Sequence, residues 1–355
     1  MVYRMIFNQT AYFGRGAIKE IPAVAKQHGF TKAFIVTDPV MVQLGNVDKV
    51  LYYLRKRERY CHSEIYSDVE SDPSVECIMR GVEAMRAFQP DVIIAIGGGS
   101  AIDAAKGMWL FYEHPETDFD GLRQRFLDIR KRAFKFPKLG KKTKLVAIPT
   151  TSGTGSEVSM FSIMMVDGAK AGVCDQNITA HIALVDPKLT LTVPRNVTAS
   201  TGLDTFCHLL ECYISRLATS MSDMIALEGI HYVCKYLRKA IGDGSDLEAR
   251  YWMSYASSLG GFGPNLVDGC AANHGLAFAL GAVYHIGHGL ANALVLPYVF
   301  PVVCKAELEK LPRLALAMGL DPTGLSGTEL AGMISEAITQ LVKDVGCLLP
   351  LSQFG

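Results

Sequence analysis

Apolar and polar positions follow different periods in the two halves of the chain. In the first half, AFIV (33–36), VIIAI (92–96) and KLVAI (144–148) are brief, continuously apolar and bounded by turn residues, which predicts buried strands. Between them, 46–57 and 74–88 place apolar side chains at helical spacing, and Asp72-Pro73-Ser74 reads as a helix entrance. Strands that alternate with helices imply a parallel sheet covered by helices, with ligands bound at the carboxyl ends of the strands. After 185–190 the character changes. From Pro194 onward strand-like runs almost vanish, and 198–217, 221–241 and 246–262 all show helical spacing. The expected architecture is an α/β domain over 1–186 and an all-α helical domain over 187–355.

A length of 355 residues accommodates two domains, and 49% apolar with 20% charged residues excludes a disordered chain. Basic and acidic residues balance at 35 each, so no net field favours nucleic acid. Nine scattered cysteines without a C-x-x-C pair suit reduced thiols in a cytoplasmic protein. The opening MVYRMIFNQTAYFG lacks the apolar core of a signal peptide, and no uninterrupted apolar run reaches the ~18 residues of a membrane span. A soluble cytoplasmic protein without membrane association is expected. The basic run 130–144 reads either as an anion site or as a solvated loop. The N-terminal VYRMIF offers a strand edge that invites pairing between subunits.

Three features of the first half suit a nucleotide. In IGGGSAIDAAKG (96–107) a buried strand runs into three glycines and a helix. There the backbone can approach a diphosphate closely, and the helix N-terminus favours negative charge. PTTSGTGSE (149–157) follows another strand with hydroxyls and open backbone. Asp38, at the end of a strand, can accept from ribose hydroxyls and would repel a 2′-phosphate, which favours NAD over NADP. Alternatively it makes an Asx turn before Pro39.

In the second half, Asp204 and His208 are four apart and leave one face of a helix, as a clamp for a divalent cation would. The stretch 273–297 holds His274, His285 and His288 among apolar neighbours, where each imidazole needs a partner. His274 and His288 are 14 residues apart, about 21 Å along a straight helix. They can share an ion only if the chain reverses between them, at Gly281 or around Gly287 and Gly289.

These motifs, TD at 37–38, GGGSAIDAAK, PTTSGTGSE, D-x-x-x-H at 204–208 and H-x13-H ending in HGLANALVLP, stand in an order that resembles the iron-containing (group III) alcohol dehydrogenase family over essentially the whole chain. The resemblance implies a Rossmann-like, dinucleotide-binding α/β domain, a helical metal-binding domain and a homo-oligomer. It implies Asp204, His208, His274 and His288 as ligands of one divalent metal, Fe(II) by preference with Zn(II) as an alternative. It implies Asp38, Gly97, Gly98, Gly99, Ser100, Asp103, Thr150, Thr151 and Lys170 as cofactor contacts. Four residues after the first metal histidine, such proteins usually carry a second histidine near the nicotinamide, and here that position is Phe278. Asp72-Pro73-Ser74 stands for a P-N-P-T-like element, and Gly287 for the proline usual before the last metal histidine. The family also generally continues for a further helix beyond PLSQFG.

The expected activity is transfer of a hydride between NAD(H) and a small alcohol, diol or aldehyde, with the metal as Lewis acid. With Phe278 in place of histidine, His285 is the candidate for the proton relay. A cyclising enzyme similar to dehydroquinate synthase would need several basic groups around a phosphorylated substrate, and the metal segments are short of lysine and arginine. A metal-dependent hydrolase leaves the glycine and threonine loops unexplained. A catalytically dead NAD-binding module has no need of all four ligands.

Overall fold

A computed structural model describes residues 10–56, 61–118, 122, 135–267 and 269–354. The chain forms two compact units. One comprises the described residues from Thr10 to Thr150 together with Ser156–Leu189; the other comprises Thr151–Gly155 and the described residues from Thr190 onward.

The first unit is built on strands β1 (Thr10–Phe13), β2 (Lys32–Val36), β3 (His62–Tyr66), β4 (Val92–Gly97), β5 (Lys144–Pro149), β6 (Phe161–Val166), β7 (Ala169–Cys174) and β8 (Ile182–Val185). Six of them form one parallel sheet in the order β1-β8-β5-β4-β2-β3. Helices α1 (Ile21–His28), α2 (Pro39–Gln43), α3 (Asn46–Arg55), α4 (Val75–Phe88) and α5 (Gly99–Glu113) connect them. Alternate residues of each strand point to opposite faces. Phe34, Ile93 and Leu145 enter the core that Val82 and Met85 of α4 and Met108 of α5 complete. Ile35, Ile94 and Val146 enter the core of Val24 and Val50. Burial on both faces explains why these strands read as unbroken apolar runs.

Some elements were not foreseen. β3 is a largely exposed edge strand without an apolar run. β6 and β7 form an antiparallel hairpin outside the sheet, attached through Met165 N to Pro73 O at 2.9 Å. The Asp72-Pro73-Ser74 entrance was foreseen and stands: Ser74 caps α4 by accepting from Cys77 N at 3.1 Å, while Asp72 before it holds a left-handed conformation at φ 52°.

Of the basic run, 130–134 lies outside the described residues. Further along, the backbone N–H groups of Gly140, Lys141, Lys142 and Thr143 do converge on a carboxylate at 3.0–3.2 Å, but it is the protein's own Glu113. The N-terminal VYRMIF segment also lies outside the described residues.

In the second unit the main helices are α6 (Arg195–Ile214), α7 (Ser220–Gly242), α8 (Leu247–Val267), α9 (Ala272–Tyr284), α10 (His288–Val303), α11 (Leu311–Ala317) and α12 (Gly327–Asp344). Phe206, Leu209 and Tyr213 of α6 pack with Val233 and Leu237 of α7, Met253 of α8, Phe300 of α10 and Ile338 of α12. The α/β-plus-helical architecture expected from the two periods is the one the chain adopts. No uninterrupted apolar run of that length appears, but His288–Ala306, broken by Asn292 and Lys305, is long and apolar enough by mean hydropathy to span a bilayer. It packs as a core helix, with Ala293, Leu296 and Phe300 buried, and contains Pro297 and Pro301.

Candidate metal centre and glycine turn

On α6, the spacing of four and then three places Asp204, His208 and Glu211 on one helical face, and all three are buried. The reversal that His274 and His288 require lies at residues 285–287. Gly281 stays inside α9, while His285 closes that helix in the left-handed conformation at φ 54°, and α10 begins at His288. His274 thus stands in the first turn of one helix and His288 opens the next. Gly289 permits the close approach: a Cβ there would lie 2.5 Å from Ser200 O, on the helix that carries Asp204 one turn later.

The result is one cluster. Asp204, His208, His274 and His288 each offer a ligand atom, all within 4.8 Å of one another. Asp204 carboxylate oxygens lie 3.4 Å from His288 Nε2, 3.6 Å from His274 Nε2 and 3.9 Å from His208 Nδ1. His208 Nδ1 and His274 Nε2 are buried without a hydrogen-bond partner. Leaving such a group unsatisfied costs ~1–3 kcal/mol. A cation among three imidazoles and one carboxylate removes that cost, and the donor set suits Fe(II), Zn(II) or Mn(II). The residues therefore fit a divalent metal.

Glu211, which sequence reasoning passed over, holds this arrangement. Its carboxylate accepts from Asn273 N at 2.7 Å and His274 N at 3.3 Å, and pairs with His274 Nδ1. The N-cap Ala271 has no capping side chain, so a carboxylate from α6 caps α9 and orients its first histidine together. Asn292 Nδ2 donates to Asp204 Oδ1 at 2.8 Å, and Asn273 Nδ2 donates to Asn292 Oδ1 at 2.8 Å. The signal available was Glu211 at i+3 from His208 in an apolar helix, where a carboxylate needs a reason to be buried.

Burial pushes the Asp204 carboxyl up, but the surrounding imidazoles outweigh it and hold it far below the usual carboxylate range. Burial likewise opposes the charge on Glu211, and the His274 ring with the α9 backbone N–H groups still brings its carboxyl down. His274 is driven well above its ordinary value against burial, by Cys270, Asp204 and Glu211.

Phe278 lies over this cluster. Its ring stacks on His288 at 5.2 Å and 19°, and meets His274 edge-on at 6.4 Å. His285 is exposed and stands outside the four-residue group.

In the sheet unit, chain order runs outward in opposite directions from β2 and β4, which makes their carboxyl ends a topological switch point. Asp38 and Gly97 stand there. Gly97 has φ 154°, and a Cβ would lie 2.6 Å from the Ala101 side chain and 3.3 Å from Asp38 Oδ2. Gly98 and Gly99 open α5 with no side chain capping its N-terminus. Thr150 N donates to Gly97 O at 2.9 Å, and Thr150 Oγ1 is buried without a partner. Ser100 Oγ accepts from Asp72 N at 3.2 Å, and Asp72 pairs with Lys170 at 2.8 Å, so these three residues meet beside the turn.

Two expected contacts are engaged internally. Asp38 Oδ1 accepts from Met41 N at 3.0 Å and caps α2. Asp103 accepts from Ser156 Oγ and from Ile163 N at 3.0 Å, which ties α5 to the hairpin. Thr151 opens the 151–155 segment, which is fastened to the helices: Thr205 Oγ1 donates to Gly153 O at 3.0 Å, and Ser152 and Ser254 hydroxyls lie 3.0 Å apart. Sequence reasoning favoured a ligand over a structural role for this loop, and part of its polarity serves packing.

A parallel sheet with a glycine turn at its switch point, followed by a helical unit with a four-donor cation cluster, defines a class of two-unit metalloproteins. Comparison with known proteins narrows it. The family model for iron-containing alcohol dehydrogenase matches residues 8–187, and the C-terminal model of the same family matches 198–355. The chain is 46% identical over 291 residues to the aldehyde-alcohol dehydrogenase of Streptococcus pneumoniae serotype 4, covering 81% of this chain and 32% of that one. It therefore spans about a third of that relative's length. It is 37% identical over 356 residues to the NADPH-dependent butanol dehydrogenase of Clostridium saccharobutylicum, covering 99% and 87% of the two chains. The crystal structure of a 1,3-propanediol oxidoreductase superposes with a TM-score of 0.92 at 31% identity, over 100% of this chain and 90% of that one. The chain belongs to the iron-containing alcohol dehydrogenase family.

Proposed function

We propose that the protein is a metal-dependent, NAD(H)-linked alcohol dehydrogenase or aldehyde reductase acting on a small alcohol or diol. The observation that carries this reading is the convergence of Asp204, His208, His274 and His288 around two buried imidazole nitrogens that lack partners. These four residues hold the metal, Fe(II) by family membership with Zn(II) as the alternative. When bound, the cation would supply Lewis acidity and the nicotinamide the hydride-transfer chemistry.

The chain's own groups do the rest. Asp204 supplies the negative charge, and Asn292 and Glu211 fix the orientation of the donors. Phe278 presents an apolar surface that excludes water and favours an aliphatic substrate. His285, exposed at the turn before α10, takes up the proton that leaves the hydroxyl and passes it to solvent. Gly97 to Ser100 and the α5 N-terminus cradle the diphosphate; Thr150, Thr151 and Lys170 complete the contacts, with Asp103 as an anchor behind them. Asp38 keeps Oδ2 beside the turn, and its charge selects NAD over NADP, although the butanol dehydrogenase relative is NADPH-dependent by name. The free cysteines suit a cytoplasmic setting, and the edge position of β1 suits assembly into a homodimer or larger homo-oligomer.

The test uses protein purified anaerobically and loaded with one equivalent of Fe(II) or Zn(II), with metal content read by elemental analysis. NADH should form from NAD with primary alcohols or diols, and faster than NADPH forms from NADP. Metal-loaded protein that reduces neither cofactor with any alcohol of the panel overturns the reading. A His285→Ala variant with an unchanged pH–rate profile removes His285 from the proton path.

A further inference from the structure

In the sheet unit, the left-handed residue before α4 carries a negative charge to the edge of the glycine turn. Asp72 holds φ 52°, a region that non-glycine residues enter at a cost and that aspartate and asparagine tolerate best. Three contacts hold the segment there. Asp72 N donates to Ser100 Oγ at 3.2 Å, in the first turn of α5. Asp72 Oδ1 accepts from Lys170 Nζ at 2.8 Å, on β7. Pro73 O accepts from Met165 N at 2.9 Å, on β6. The ion pair is unequal in burial: the Lys170 side chain is 6% exposed and that of Asp72 is 41% exposed. A buried ammonium needs a partner, and among the described residues Asp72 is the acid paired with it. Asp72 thus engages two groups, Ser100 and Lys170, that the reading above gives to the dinucleotide.

We propose that Asp72 sets the affinity of the dinucleotide by competing with its diphosphate for Lys170. The proposal rests on the reading that Gly97 to Ser100 and Lys170 hold that diphosphate. The carboxylate neutralises the ammonium and repels the phosphates, so the cofactor gains less from Lys170 than an unpaired lysine would give. The effect falls on release. Affinity differences within one site act mostly on dissociation, so the acid lets reduced cofactor leave sooner. Asp72 acts on a charge that NAD and NADP share, which separates its role from the choice between them assigned to Asp38.

The test measures NADH, NADPH and ADP-ribose binding to the Zn(II)-loaded full-length chain. Nicotinamide fluorescence reports the first two, and displacement of NADH reports the third. Asp72→Asn keeps the size, the left-handed backbone and an oxygen for Lys170, and removes the charge. It should tighten all three ligands by a common factor of roughly three to five, the scale of one partly exposed charge pair. Stopped-flow displacement of NADH should slow by the same factor. Asp72→Gly, which removes the side chain and relieves the backbone, should also tighten binding. A gain in affinity is the readout here because loosened structure would weaken binding instead. In a Lys170→Met background the Asp72→Asn gain should shrink to below about twofold, since no ammonium is left to release. Native or weaker binding in both Asp72 variants overturns the proposal, as does a gain confined to NADPH or one undiminished by Lys170→Met. If Lys170→Met by itself weakens NADH while Asp72→Asn changes nothing, Asp72 is removed and the diphosphate reading stands. No NADH binding by the native chain, or native affinity in Lys170→Met, overturns that reading and the proposal with it.

Discussion

Phe278 shows how much one side chain alters at a metal cluster. A histidine in its place would offer a second titrating ring; the phenyl ring instead stacks on His288 and restricts that imidazole. Aromatic pairs contribute ~0.5–1.5 kcal/mol beyond area burial. Phe278→Ala should therefore weaken Co(II) binding by roughly three- to tenfold, measured by competition with a chromophoric chelator. Unchanged affinity would show that the stacking does not orient His288. Phe278→His should add an ionisation to the pH–rate profile that the native chain lacks. Glu211 acts through hydrogen bonds. Glu211→Gln keeps an acceptor for the α9 N–H groups but removes the charge that raises His274, and should lower metal affinity by about 10- to 100-fold. Because His274 must shed its proton to bind a cation, and its folded value is raised, affinity should fall as pH drops. In the glutamine variant that loss should begin at a lower pH; identical pH dependence in the two proteins would rule out the coupling. At this scale the sequence disclosed Asp204 and His208, because i,i+4 spacing is a local property. Glu211 and Asn292 escaped because their partners arrive from other helices.

Elements carried their information in periodicity, and their joints did not. Strands β2, β4 and β5 and helices α6, α7 and α8 were legible within a few residues, since each buries apolar positions at its own period. The β6–β7 hairpin was not, because β7 is built of small residues with one lysine and the hairpin lies outside the sheet. The reversal between α9 and α10 was required by the 14-residue spacing, and of the two places offered for it the chain uses the one around Gly287; that the turn starts at His285, a non-glycine residue with positive φ, is what composition cannot foretell. The contact at Gly289 also belongs to the element. A methyl group there meets backbone rather than a movable side chain, so α10 must shift away from α6 and take His288 with it. Gly289→Ala should cost about 1–3 kcal/mol of stability and weaken metal binding more than Phe278→Ala does. Calorimetry of the metal-free and Zn(II)-loaded protein measures both effects, and a variant with native Zn(II) affinity would show that α10 tolerates the displacement.

The two units carry one tryptophan each, which lets the whole molecule be followed in parts. Trp109 lies buried in the sheet unit against His181 at 5.0 Å, and Trp252 stacks on Tyr232 at 4.2 Å in the helical unit. His181 is buried, accepts Leu145 N at 3.3 Å and is pushed down to about 4 from 6.5, by burial first and then by Lys144. Between those values the unfolded chain binds the proton and the folded chain does not. The resulting stability is complete above the unfolded value and is lost as pH falls through the folded one. A shift of that size corresponds to on the order of 3 kcal/mol. Urea unfolding followed at Trp109 in a Trp252→Phe background should thus shift to lower midpoint between pH 7 and 4. His181→Gln, which keeps an acceptor for Leu145 N but cannot take the proton, should flatten that dependence. An equally steep decline in the glutamine variant would assign acid sensitivity to other groups. The same two probes sort the ligands. Zn(II) should raise the midpoint read at Trp252, and NAD the midpoint read at Trp109, each by an amount set by its concentration over its dissociation constant. A metal that stabilised only the Trp109 transition would contradict the helical cluster as its site.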